Sequence, residues 1–188
     1  MPRAGLTSDI VVAEAARLAD EVGLDRLTLA AVAQQLGVAL PSLYKHIRGM
    51  DALHQQLAIR ALDEFTATIT EAAVGRSGSD ALRAMAHAYR AYARRRPGGY
   101  AAAQRAPDPA DTEHAAAGER AVRVIFAVLA GYGLAGDRLV DATRSLRSTL
   151  HGFVSLEAAG GFGLPRDVDR TYDRLVDMLD RALRTWPD

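Results

Sequence analysis

The sequence predicts an all-α chain, and three features carry that expectation. Apolar residues recur at spacings of three and four almost from end to end. Alanine, leucine and arginine, which lose little on entering a helix, dominate the composition. β-branched runs are short, and no stretch alternates apolar and polar residues for long. With 188 residues, 49% of them hydrophobic, the chain can bury one large core or two small ones.

The first helix is expected from Thr7 or Ser8, either of which can cap it, to about Val22, with Gly23 ending it. Ile10, Val11, Ala15, Leu18, Ala19 and Val22 form its predicted inner face. A second helix starts after Thr28, whose hydroxyl can accept from the free amides of the first turn. Leu27 and Val32 are spaced as a hydrophobic staple, and Gly37 closes this helix after Leu36. A short third helix runs from about Pro41 to Ile47, with proline where a missing amide does little harm. A longer helix, about 51–73, ends at the loop "VGRSGSD"; Ser79 or Asp80 starts the next, which runs to about Arg96 before Pro97. A helical piece at 99–105 precedes the turn-rich "APDPAD". Helices at about 110–134, 137–159 and 167–185 complete the chain, the last two separated by "AGGFGLP".

Charge and composition exclude several classes. Formal net charge is zero, so a polyanion must be met by a local patch. The absence of cysteine excludes disulfides, thiolate metal sites and cysteine nucleophiles. The five histidines include no pair three or four apart, so no metal site is expected. No glycine-rich loop precedes a basic helix, and neither a cofactor nor a catalytic set is expected. The longest uncharged stretch, "VIFAVLAGYGLAG", has 13 residues, too few to span a membrane. The N-terminus lacks the apolar core of a signal peptide, and a soluble, cytoplasmic protein is expected.

Residues 37–53, "GVALPSLYKHIRGMDAL", hold the only lysine of a chain that otherwise uses 22 arginines, and no acid appears in them before Asp51. Two short helices joined at Gly37, the second carrying polar side chains, make a helix-turn-helix. Ala33 is small enough to let the helices cross closely, and Gly37 supplies a permissive backbone. Leu36, Val38, Leu43 and Ile47 face inward on helical spacing. Leu40, Pro41, Ser42, Tyr44, Lys45 and His46 are left to reach outward. That set offers apolar surface for a thymine methyl and donors for phosphates or base edges.

"LTLAAVAQQLGVALPSLYKHIRGMDAL" (27–53) resembles the DNA-binding region of TetR-type transcriptional regulators, and the likeness extends upstream to "AAxxL…G" at 15–23. The resemblance implies a helix-turn-helix domain at 1–50 and a helical effector-binding and dimerisation domain at 51–188. It implies a homodimer, most often a repressor, that binds a palindromic DNA operator and responds to a small-molecule effector. Carried over by position, Thr28 caps the second helix and touches a phosphate, while Leu40, Pro41 and Ser42 approach base edges. Tyr44 meets a phosphate or a thymine methyl, with Lys45 and His46 on the backbone. Two residues depart from the family pattern. Ala39 stands where a serine or threonine usually caps the third helix, a loss of about 1 kcal/mol. Met50 stands where a lysine usually meets phosphate, and Arg48 is the candidate replacement.

In the last helix Val168, Tyr172, Leu175, Val176, Leu179, Leu183 and Trp186 form a stripe, as do Leu139, Thr143, Leu146, Leu150 and Phe153 in the helix before it. Asp177–Arg181 and Asp180–Arg184 are spaced to pair on the outer side. The stripes pack either on the chain's own core or across a subunit interface as a four-helix bundle, with Leu146, Leu150, Phe153, Tyr172, Leu175, Val176, Leu179 and Leu183 as interface candidates. From Ala81 to Pro107 there are six arginines and no acid, with Tyr89, Tyr92 and Tyr100 interleaved. This segment reads as a second nucleic-acid surface, a pocket wall, or a solvated helix end whose arginines complement the macrodipole. Under the resemblance, Tyr89, Tyr92, Tyr100 and Gln104 are candidate ligand contacts, with Phe126 and His151 further along. The alternatives are a helical ligand-binding or interaction module with weak or lost DNA affinity, and a small all-α enzyme for which no nucleophile or acid/base pair is evident.

Overall fold

The computed structural model describes residues 5–187 and is helical throughout, with no strand among them. The helices are α1 (Ser8–Val22), α2 (Leu29–Leu36), α3 (Leu40–Leu43), α4 (Met50–Ala73), α5 (Gly78–Arg95), α6 (Pro97–Ala103), α7 (Thr112–Ala130), α8 (Gly136–Ala158) and α9 (Val168–Arg184). They build two compact units. The first takes the chain up to Glu64 together with Arg96–Gly118; the second takes Phe65–Arg95 and the chain from Glu119 onward. Residues 51–64 and 96–118 therefore fold with the N-terminal segment, a larger body than the expected 1–50. Residues 1–4 and 188 of the expected domain limits lie outside the described residues.

In the first unit the local signals act as their chemistry dictates. The Thr7 hydroxyl accepts from the Ile10 amide at 3.3 Å, and Gly23 ends α1 at φ 90°. The Thr28 hydroxyl accepts from the Ala31 amide at 3.1 Å, while Leu27 and Val32 are both buried. Gly37 adopts φ 65°, and the Val38 amide returns to the Ala33 carbonyl at 3.0 Å. One expectation for α1 is corrected. Ile10 is exposed and Val22 half-buried, while Val12 and Ala16 join Val11, Ala15, Leu18 and Ala19 inside. The inner face is wider and rotated because α1 is covered by both α2 and α6.

The α1–α6 contact explains the "PGG" that begins α6. A Cβ on Gly98 would fall 2.3 Å from the Ala19 carbonyl carbon and 2.6 Å from the Asp20 amide nitrogen. The Asp20 carboxylate accepts from the Gly99 amide at 3.0 Å, and its other oxygen lies 2.6 Å from Arg96, which also reaches Glu64 at 3.4 Å. Arg96 is thus engaged within this unit.

In the second unit α5 packs on α8 and α9. Arg90 is almost fully buried and forks onto Glu157, with a further bond to Asp169 at 2.7 Å. Its guanidinium lies 4.8 Å above the Tyr172 ring centre and 5.5 Å above that of Phe153, so charge pairing and ring stacking hold three helices at one point. Tyr172 donates to the Ala86 carbonyl at 2.6 Å. Asp167 caps α9 through the amides of Asp169 and Arg170. Asp180 pairs with Arg184 at 3.1 Å as its spacing predicts, but Asp177 takes Arg83 of α5 instead of Arg181.

The interface candidates require a correction. Leu146, Leu150, Phe153, Tyr172, Val176, Leu179 and Leu183 are all buried within the single chain, and Leu175 is half-buried. α5 supplies the face that covers these stripes, so the seven buried residues cannot also form an outer surface, and half-buried Leu175 alone keeps part of its side chain open. The exposed large apolar side chains of this region are Val140, Leu156, Leu164 and Met178.

Candidate nucleic-acid interface

The segment from Thr28 to Met50 is held from below by Leu43 and Ile47, which are 0% and 1% exposed. The Ile47 amide bonds the Leu43 carbonyl at 2.9 Å and the His46 amide does so at 2.8 Å, so the helical path continues as a turn past the end of α3. α3 starts one residue before the predicted 41 even though Ala39 offers no side-chain cap, and it ends at Leu43 rather than 47. Gly49 at φ 125° then breaks the backbone just before α4. With Leu43 and Ile47 anchored, Tyr44 stands 55% exposed, beside exposed Pro41, Lys45 and Arg48. Leu40, Ser42 and His46 are half-buried at the edges of the same face, and Ala39 is exposed at its tip. Thr28 is exposed and already engaged as the α2 cap. Met50 packs against the unit's core, so it contributes no charge to this face.

The electrostatics are one-sided. Between Asp25 and Asp51 there is no carboxylate, while Arg26, Lys45 and Arg48 are all exposed. A face of this kind offers charged and neutral donors, one aromatic ring and no competing acceptor charge, which suits contact with phosphates and base edges.

The six ligand candidates are divided between the two units. Tyr100 and Gln104 belong to the first unit, and Tyr89, Tyr92, Phe126 and His151 to the second. Tyr89, Tyr92 and Tyr100 are buried, and the first two pack edge-on to Phe65 at 5.1 and 5.5 Å between ring centres. Phe126 and His151 are half-buried, the latter 3.4 Å from the Ser155 hydroxyl. The arginine-rich segment is divided among separate tasks. Arg90 and Arg96 hold ion pairs, and Arg94 stays near Asp169 at 3.7 Å. A second nucleic-acid surface therefore finds little free charge there.

Two cavities went unread in the sequence. In the second unit, about 370 Å³ opens among Thr70, Val74, Ser77, Arg123, Val124 and Val128, a mainly apolar hollow with polar side chains at its edge. In the first unit, about 750 Å³ opens beside the start of α4 and includes His54 and His114 in its wall. No local signal marks either, since each joins residues distant in sequence. Among the described residues no group of three metal-binding side chains converges, and no helix is long and apolar enough to cross a membrane.

Comparison with known proteins agrees with this geometry. Residues 11–57 match the model of bacterial regulatory proteins of the tetR family, and residues 82–179 match that of the tetracyclin repressor-like C-terminal domain. The HTH-type transcriptional regulator Rv0681 of Mycobacterium tuberculosis is 39% identical over 158 residues, which make up 84% of this chain and 72% of that protein. YobS of Bacillus subtilis, also an HTH-type transcriptional regulator, is 36% identical over 98% of this chain and 93% of its own. Among solved structures, a Q116A variant of TetR from Acinetobacter baumannii in complex with minocycline superposes with a TM-score of 0.71 at 26% identity, covering 98% of this chain and 99% of that one. A Rhodococcus protein of unknown function superposes at 0.79 with 24% identity, covering 97% and 98%.

Proposed function

The chain belongs to the TetR family of transcriptional regulators, with a DNA-binding helix-turn-helix and a ligand-binding C-terminal domain, and from that premise we propose that it is a homodimeric repressor released from its operator by a small molecule. The observation that carries the reading is the carboxylate-free face of Pro41, Ser42, Tyr44, Lys45 and Arg48 on a support of buried Leu43 and Ile47. Presented twice by a symmetric pair of chains, it meets two half-sites on one side of a duplex, about 34–36 Å apart. Tyr44, Ser42 and Leu40 read bases, while Thr28, Lys45, His46 and Arg48 hold the backbone.

The effector site in this reading is the 370 Å³ hollow of the second unit. Its size falls within the range of small-molecule pockets, roughly 300–1,000 Å³. The solved relative that carries minocycline supports a drug-sized ligand by analogy. Regulation needs no chemistry: a ligand that favours a spacing of the two reading heads unsuited to the operator shifts the population away from DNA. The outward faces of α8 and α9, with Leu156 and Met178, supply the dimer contact.

The test is retardation of genomic fragments by the purified chain, then of the selected operator by variants. Tyr44→Ala and Lys45→Ala should each weaken operator binding with fold and dimer unchanged. Loss of the Lys45 phosphate contact should also reduce the salt slope by about one. Variants that bind as tightly as the parent would refute the assignment.

A further inference from the structure

The 750 Å³ cavity of the first unit is walled by the start of α4 and by the segment that joins α6 to α7. His114 lines it at 4% exposure, and its Nε2 has no hydrogen-bond partner; the Nε2 of half-buried His54 is buried without one as well. Buried nitrogens of this kind carry a desolvation cost that a ligand atom would relieve. Arg48 and Arg105 stand on the same wall, both exposed, and neither is ion-paired among the described residues. Burial, assisted by Arg105, holds His54 below the ordinary imidazole range, so it is neutral at pH 7.

Three carboxylates share the wall, and each has a local task. Asp108 accepts from the Ala110 amide at 2.8 Å and Asp111 from the His114 amide at 2.9 Å. The second oxygen of Asp111 lies 3.8 Å from His114 Nδ1. Asp51 sits in the first turn of α4, where negative charge complements the helix dipole. The guanidiniums and the two Nε2 atoms have no such employment. Gln55 adds a neutral polar group, and Ala52, Ala106, Pro107 and Ala110 complete the wall with apolar surface, which suits an organic body rather than a bare inorganic ion.

We propose that this cavity is a second effector site, taking a small organic acid whose carboxylate meets Arg48 and Arg105 and whose body lies against Pro107 and the two imidazoles. Binding itself is independent of the DNA-reading assignment. The regulatory half rests on that assignment, because Arg48 and the first turn of α4 directly follow the reading face.

Calorimetry on the full chain at pH 7 tests it, with benzoate, succinate, citrate, inorganic phosphate and Zn²⁺ each added alone. At least one of the three organic acids should bind. Arg48→Gln and Arg105→Gln should each weaken that binding by about tenfold or more, Arg105→Lys should recover part of it, and His114→Phe should abolish it. Absence of binding by all three acids, binding by phosphate or Zn²⁺ only, or arginine variants that bind like the parent would each overturn the site. If His114→Phe fails to fold, the two exposed arginines decide. Fragment retardation with and without the bound acid then reads the regulatory half. Unchanged DNA affinity overturns it, whereas absence of DNA binding by the free chain counts against the reading face and leaves the calorimetry standing.

Discussion

Gly98→Ala adds one methyl group at the closest approach of two helices, and the structure allows its cost to be worked through. The new Cβ would lie 2.3 Å from the Ala19 carbonyl carbon, 2.4 Å from its oxygen and 2.6 Å from the Asp20 nitrogen, all of them backbone atoms that cannot rotate away. α6 must therefore lift off α1. Overpacking of this kind costs about 1–3 kcal/mol, and more where backbone meets backbone. The lift also stretches the bond from the Gly99 amide to the Asp20 carboxylate, now 3.0 Å, a charge-assisted bond that contributes about 1.5–3 kcal/mol. Against these stands the gain of alanine over glycine in a helix, about 1 kcal/mol. The balance is a loss of about 1.5–5 kcal/mol. Gly118→Ala in α7 is the matched control: nothing lies within 4 Å of its added Cβ, so it should stabilise by up to about 1 kcal/mol. Denaturant unfolding of both variants measures the difference. A Gly98→Ala protein as stable as the parent would refute the claim that the glycine is there to admit α1.

Three further outcomes follow from the second unit. Leu156→Glu and Met178→Glu, both at exposed sites on α8 and α9, should give folded monomers by sedimentation; unchanged dimers would place the interface elsewhere. Arg90→Ala should cost about 3 kcal/mol, because it strands the largely buried Glu157 beside a buried aromatic pair, whereas Asp169 stays solvated; calorimetric unfolding reads it, and a loss under about 1 kcal/mol would reduce the cluster to a surface ion pair. The Arg90 hydrogen bonds hold the Glu157 carboxyl below its ordinary value of 4.5. The unfolded chain therefore takes up that proton first. The stabilisation is complete above about pH 4.5 and drains away as pH falls through the lower folded value. Glu157→Gln should flatten this acid limb of a stability–pH profile, and an unaltered limb would assign the acid sensitivity to other groups.

The exposed face around Tyr44 and the helix starts were legible because their determinants are local. Thr7, Thr28, Gly23 and Gly37 act within four residues of themselves, so spacing alone places them. Leu43 and Ile47 fix which side chains of one turn must point out. The apolar stripes were legible as stripes, but their partner was not. Tyr172, Val176, Leu179 and Leu183 carry the same periodicity whether α5 or another subunit covers them, and only the fold shows that α5 does. The arginine-rich segment misled for a related reason. Arg90 and Arg96 look like part of a basic run until Glu157, Asp169 and Asp20 arrive from distant sequence to neutralise them. His54 and His114 were dismissed as metal ligands by their spacing, yet the fold lines one cavity with both.

A chain of zero net charge cannot draw DNA from afar, since its opposing charges cancel beyond a Debye length of about 8 Å at physiological salt. Whatever attraction exists acts at contact, from Arg26, Lys45 and Arg48 on a surface cleared of carboxylates. Two copies of so small a cationic patch neutralise few phosphates, which limits non-specific affinity and its salt dependence. On the proposed reading, discrimination then rests on Tyr44, Ser42 and Leu40 at base edges more than on electrostatic hold. On the same reading, such a regulator leaves bulk DNA readily, and the proposed dimer is what holds the operator against that weak electrostatic grip.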